Sequence, residues 1–191
     1  MPSVYLSGPD VFFSDMLELF ALKMGSCVLA GFTPINPSDP RNPPPTSGDT
    51  NPSRNIYRDN AQAMRDADFG IFHLTPFRGV SADPGTVYEL GFMTALGKPT
   101  FGYTNVSGDY MDRVAPRQSV PGPNNQVTWQ DDDGSHIENY GNADNLMIDS
   151  SLAMSGALIV RGTPPLPKRF SDLSAFEDCL KLAKAYYASP K

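Results

Sequence analysis

Two carboxylates stand six positions apart in the stretch Phe77-Arg78-Gly79-Val80-Ser81-Ala82-Asp83-Pro84-Gly85-Thr86-Val87-Tyr88-Glu89-Leu90-Gly91. Asp83 precedes a predicted helix and Glu89 falls about one turn inside it, so both can border one pocket near the helix N-terminus. The positive end of a helix favours an ionised carboxylate there. Glu89 sits between Tyr88 and Leu90 with Met93 one turn on, an apolar setting in which an unpaired carboxylate is costly to bury. A functional reason is the economical explanation. The chemistry open to such a pair is nucleophilic attack by one carboxylate and binding or proton transfer by the other. By spacing alone, an N-terminal helix carboxylate beside a surface glutamate is an equal alternative.

The elements that must position this pair follow from hydrophobic spacing and turn residues. Val4-Tyr5-Leu6, stopped by Ser7-Gly8-Pro9-Asp10, reads as a short buried strand, and Phe12 to Met24 has helical spacing of apolar residues. Residues 34–52 carry seven prolines among Asn, Ser, Asp and Gly, which predicts an irregular surface loop. Tyr57 to Ala67 reads as helix, Phe69 to Leu74 as strand, and Gly85 to Leu96 as helix closed by Gly97. Thr100 to Tyr103 and Ala157 to Val160 are further strands. Ser174-Ala175-Phe176-Glu177 has the form of a capping box opening a last helix through about Tyr187. Residues 105–142 give no firm element, and Asp131-Asp132-Asp133-Gly134 reads as a solvated acidic turn rather than a calcium loop. The alternation predicts an α/β fold of the flavodoxin-like, Rossmann-like kind, a doubly wound parallel sheet with helices on both faces. Ligands in such sheets bind at the carboxyl ends of the strands. The loop that carries Asp83 leaves such an end.

Composition narrows the function. A chain of 191 residues fits one domain spanning 1–191, and a domain of this size buries roughly 70% of its unfolded surface. Cys27 and Cys179 are the two cysteines, too few for a disulfide framework, and they suggest no metal site. His73 lies in an apolar strand and His136 in an acidic loop, and neither is given a role. A formal net charge of −6 argues against gripping a nucleic-acid polymer. No run approaches the roughly 20 apolar residues of a membrane span, and the first residues lack the pattern of a secretory leader. The expectation is a soluble cytoplasmic protein that handles a small molecule.

The 77–91 stretch resembles the signature of nucleoside 2-deoxyribosyltransferases, F-R-G-x-x-x-D-x-G-T-x-x-E-x-G, at each of its fixed positions. Three other segments agree in order: V-Y-L-S-G-P at the first strand, N-A-Q-A-M-R-D-A-D-F before the second, and D-N-L-M-I late in the chain. The resemblance implies that Glu89 is the nucleophile, that Asp83 binds the sugar hydroxyls, and that Asp68 is the acid/base facing the nucleobase. It makes Tyr5 the donor that orients the nucleophile. Gly8, Phe12, Asn60, Gly85 and Asn145 become substrate contacts, Asn145 being lent by a neighbouring subunit of a homo-oligomer with shared active sites. The implied substrates are deoxynucleosides and free nucleobases, turned over with no cofactor or metal. Glu89 would hold 2-deoxyribose covalently while one base leaves and another enters, with retention, as in a retaining glycosidase. The 36–52 and 105–140 regions depart from the family and leave base preference open. The competing readings are a nucleoside or deoxynucleotide N-glycosidase on the same fold and a non-catalytic nucleotide-sensing module.

Overall fold

A computed structural model describes residues 1–35 and 50–189. Most of the predicted proline-rich loop, residues 36–49, lies outside the described residues. Five strands form a parallel sheet: β1 (Ser3–Ser7), β2 (Thr33–Ile35), β3 (Phe69–His73), β4 (Thr100–Thr104) and β8 (Val160–Arg161), in the order β2-β1-β3-β4-β8. This 2-1-3-4-5 order is the flavodoxin-like arrangement. The major helices are α1 (Met16–Ala30), α2 (Pro52–Asp66), α3 (Pro84–Ala95), α5 (Leu146–Met154) and α6 (Ser174–Ala188), with a short α4 at Tyr110–Arg113.

Both central strands, Phe-Gly-Ile-Phe-His and Thr-Phe-Gly-Tyr-Thr, are buried at every position, as expected of parallel strands covered on two sides. Alternation along β1 divides the core. Val4 and Leu6 join Phe69, Ile71 and Phe101 against Cys27 of α1 and Phe176, Cys179 and Leu180 of α6. Tyr5 joins Phe72 and Leu74 against Met64 of α2, Leu90 and Met93 of α3, and Ile148 and Leu152 of α5. With a side-chain period of two, Ser7 lies on Tyr5's face, toward α3. Gly70 lets α3 settle closely: a Cβ there would lie 2.6 Å from the Phe72 ring and 2.9 Å from Met93 Sδ. Truncating the fully buried Met93 to Ala costs about 2–5 kcal/mol.

Several predicted boundaries change. β2 includes Pro34 and Ile35, assigned from sequence to the loop; proline is tolerated here because β2 is the sheet's edge. α2 starts five residues before Tyr57, at Pro52, behind an Asn51 side chain that accepts from Ser53 N at 3.0 Å. The first helix begins at Met16 rather than Phe12, since Pro9–Phe12 form a separate 3-10 turn. Only Val160 and Arg161 of the last strand pair with β4. The 105–142 region holds α4 and an antiparallel sheet of β5 (Arg117–Pro121), β6 (Val127–Asp131) and β7 (His136–Ile137). Ser174 is the first residue of α6 rather than its cap, and its N–H is met by Asp172 Oδ1 at 3.0 Å. Gly97 closes α3 as predicted, at φ +69°.

Candidate active site

Glu89 sits on α3 beside the carboxyl end of β1. Three donors hold its carboxylate. Tyr5 Oη donates to Oε1 at 2.9 Å, Asn60 Nδ2 donates to the same oxygen at 2.9 Å, and Ser7 Oγ donates to Oε2 at 2.5 Å. Tyr5 and Ser7 reach it together because they are two apart on one strand face, whereas Asn60 comes from α2. Burial, then the neighbouring charge of Glu89 and the hydrogen bond to it, push the Tyr5 phenol far above its ordinary value. It therefore stays a neutral donor at any workable pH. A carboxylate fixed by charge-assisted bonds on both oxygens is oriented but still half exposed to the cleft.

Asp83 caps α3, its Oδ2 accepting from Thr86 N at 2.9 Å and Thr86 Oγ1 at 3.2 Å. Among the described residues Oδ1 meets no protein donor, so it can accept from a ligand hydroxyl. Gly85 leaves room beside it, since a Cβ there would come within 3.0 Å of Oδ2. The loop before Asp83 is tied down by Asp144, a buried carboxylate that accepts from Ser81 Oγ and, at 2.9 Å, from Ala82 N.

These groups line a cleft of about 350 Å³ that also takes in Gly8, Val11, Phe12, Phe20 and Ile56. Its wall among the described residues holds two carboxylates and no cation. Phe12 is 52% exposed and stacks on Phe77 at 5.3 Å with the rings 11° apart. The Arg78 guanidinium lies 4.9 Å from the Phe12 ring, and Arg78 has φ +55°, a left-handed conformation that non-glycine residues rarely adopt. Gly8 allows a close approach: a Cβ there would stand 2.6 Å from His73 Cβ and 2.8 Å from Asp10 Oδ2. Beneath that turn lies a buried network. Lys23 Nζ meets Asp10 Oδ2 at 2.7 Å, His73 Nδ1 faces Asp10 Oδ1 at 3.3 Å, and His73 Nε2 pairs with Thr75 Oγ1 at 2.8 Å. Burial works to raise Asp10, but Lys23 and His73 hold its carboxyl well below the usual carboxylate range. His73 is thus a bonded core histidine beneath the cleft.

Two residues expected at the site from the sequence, Asp68 and Asn145, do not line this chain's cleft. Asp68 is not in the cleft. It precedes β3, at the amino end of the sheet, where its Oδ2 accepts from Ser3 N at 2.6 Å and Ser3 Oγ at 2.9 Å. Ser7 is level with Phe72, four residues beyond Asp68, or about 13 Å along the strand. The Ser3 bonds lower the Asp68 pKa, opposite to what a proton donor at neutral pH requires. Asn145 caps α5 within its own chain: its oxygen accepts from Met147 N at 3.0 Å and its Nδ2 donates to Glu138 at 2.8 Å. Of the apolar residues that follow it, Ile148 is buried, whereas Met147 is 71% exposed. Ser7 went unassigned as a site residue, although its place two residues after Tyr5 is the signal that would have found it. No trio of His, Cys, Asp or Glu suited to a metal ion, and no helix long and apolar enough to cross a membrane, occurs among the described residues.

A family model described as nucleoside 2-deoxyribosyltransferase matches residues 4–147. An uncharacterized protein of Schizosaccharomyces pombe is 31% identical over 173 residues, covering 83% of this chain and 81% of that protein. A 2-desoxiribosyltransferase structure from Leishmania mexicana superposes with a TM-score of 0.57 at 26% identity, over 78% of this chain and 85% of that one. A conserved protein from Enterococcus faecalis V583 shares the fold, with a TM-score of 0.56 at 16% identity over 96% and 99% of the two chains. The family match spans both Tyr5 and Glu89, the two ends of the carboxylate clamp, and the chain belongs to the nucleoside 2-deoxyribosyltransferase family, whose members are enzymes acting on N-glycosidic bonds.

Proposed function

We propose that this enzyme exchanges the base of 2'-deoxyribonucleosides through a deoxyribosyl ester on Glu89. The carrying observation is the half-exposed Glu89 carboxylate, held by three donors at the floor of a cleft that a second carboxylate borders. In the first displacement a Glu89 oxygen bonds to C1' while the C1'–N bond breaks and the departing base nitrogen keeps the electron pair. In the second, a nitrogen of the incoming base attacks C1' and the Glu89 carboxylate leaves, so the anomeric configuration is retained. Asp83 Oδ1 accepts from a sugar hydroxyl, and the exposed ring of Phe12 offers a flat surface for the base. With Asp68 at the far end of the sheet, the proton that the departing base takes up comes from solvent, and the proton that the incoming base gives up on bonding to C1' returns to it. The absence of Lys or Arg from the described wall supports a neutral nucleoside over a 5'-nucleotide.

The same reading includes a homo-oligomer that shares its sites. Met147, two residues beyond Asn145, is 71% exposed and would face such a neighbouring copy.

The experiment is incubation with a deoxynucleoside and a second free base, with both new products followed by chromatography and the trapped protein by mass spectrometry. A second deoxynucleoside and a deoxyribosyl adduct on Glu89 are expected, with both lost in Glu89→Ala. Release of free sugar with no exchange product would instead make the enzyme a hydrolase, and near-normal turnover by Glu89→Ala would exclude the covalent route.

A further inference from the structure

The structure carries a second cavity of opposite electrostatic character. It occupies about 510 Å³ over the carboxyl ends of β4 and β8, between the loop after β3, the loop after β4 and the segment before α6. Its polar lining includes Asn105, Ser107, Arg113, Thr163 and Arg169, and no carboxylate faces it among the described residues. The Glu89 cleft has the reverse pattern, and the two share no lining residue.

Arg113 is spent on the protein: its guanidinium donates to Val80 O at 2.8 Å, Gly108 O at 2.9 Å and Ala143 O at 2.5 Å. Its charge is paired with buried Asp144 at 3.8 Å, so the cationic character of this wall rests on Arg169. Arg169 has no carboxylate partner among the described residues and rests its guanidinium 4.7 Å from the Phe170 ring. Asn105 is 3% exposed. Its Nδ2 donates to Arg169 O at 2.9 Å and Asp172 O at 3.0 Å, whereas its Oδ1 meets no donor. Pro76, Val80, Pro164 and Leu166 complete the cavity with apolar surface, and its size is that of a site for an organic molecule rather than a bare ion.

We propose that this cavity binds a phosphate-bearing small molecule of nucleotide size, with Arg169 pairing the phosphate and the apolar wall taking the organic part. The site is separate from the catalytic cleft. It rests on the enzyme reading only in that a separate cleft holds the deoxynucleoside.

The test is isothermal titration of the full chain with adenosine 5'-monophosphate, adenosine and inorganic phosphate, repeated on Arg169→Glu and on Thr163→Trp, which fills the cavity from an exposed position. Adenosine monophosphate binding weakened about tenfold or more in both variants is expected, as for loss of a charge-assisted contact. Base exchange without nucleotide should stay within about twofold of the parent in both, as for surface substitutions. If inorganic phosphate binds as tightly with the same Arg169 dependence, the phosphate chemistry stands and the source is the free ion. No binding, unchanged affinity in both variants, or simple displacement of the nucleotide by deoxyadenosine would overturn the proposal. Absent exchange in the parent itself, with Arg169-dependent binding intact, would sink the base-exchange reading and leave this site standing.

Discussion

Tyr5→Phe separates the two halves of the proposed reaction. The substitution removes one hydroxyl from the core and leaves the buried ring in place. Glu89 then keeps Asn60 on Oε1 and Ser7 on Oε2. A hydrogen bond to a charged acceptor is worth about 1.5–3 kcal/mol, against about 0.5–1.5 kcal/mol for a neutral one. In the proposed reaction Glu89 enters as a carboxylate and becomes an ester in the intermediate. The Tyr5 bond therefore favours the free carboxylate by a difference of about 1.5 kcal/mol, or roughly tenfold in rate. Its loss should slow the second displacement, in which the carboxylate is regenerated, more than the first. The expected outcome is a kcat lowered about tenfold, with a burst of released base and a larger share of enzyme carrying the adduct by mass spectrometry. A variant with lowered kcat, no burst and no adduct would show that Tyr5 only positions the carboxylate. Unchanged kcat would show that the 2.9 Å contact contributes nothing to turnover.

Asp68→Asn should change kcat/KM by no more than about twofold, because its bonds are to Ser3 at the far end of the sheet; a loss of two orders of magnitude would restore it as acid/base. Asp144→Ala, which frees Ser81 and leaves the Ala82 N–H without its acceptor, should lower stability by about 1–3 kcal/mol in urea unfolding and raise KM, and an unchanged midpoint and KM would show that the loop needs no tether. Burial, opposed by the Asp10 charge, holds His73 below its ordinary value of 6.5, so the unfolded chain binds a proton below that pH that the folded chain refuses. Stability contributed by neutral His73 is full above pH 6.5 and declines as the pH falls; a Tm flat from pH 7 to pH 5 would contradict this. Mixing inactive Glu89→Ala with Asn145→Ala under subunit exchange should recover activity if Asn145 serves a neighbour's site. No recovery despite proven exchange would confine Asn145 to the cap of α5.

That Asp83 and Glu89 border one cleft was readable because they belong to one continuous strand-loop-helix unit, in which linear spacing translates directly into space. Asp68 shows the limit of carrying a role over by motif alone. A residue just before a strand of a parallel sheet lies at its amino end, while the cleft lies at the carboxyl ends, so the topology already predicted from the sequence argued against it. The β5–β7 sheet was not readable: its residues are largely half buried or exposed, so no clean alternation of apolar and polar positions marks them. Three-residue β2 hid inside a proline-rich run because an edge position relaxes the rule against proline.

The place of the cleft follows from where the chain leaves the sheet. After β1 it passes to α1, which packs on the face carrying Val4 and Leu6; after β3 it passes to α3, on the opposite face with Tyr5. The two loops diverge, and a crevice opens between the neighbouring strand ends. Ser7 and Gly8 come from one side of it and Asp83 from the other. The Glu89 clamp draws Tyr5 and Ser7 from β1, Asn60 from α2 and the carboxylate from α3, elements that meet only when β1 presents its odd-numbered residues to α3. A one-residue slip would turn Tyr5 and Ser7 toward α1 and α6 and strip the carboxylate of two donors. Such a slip would also drive Val4 and Leu6 out of their core cluster. The packing that fixes strand register is thereby the same packing that orients the Glu89 carboxylate.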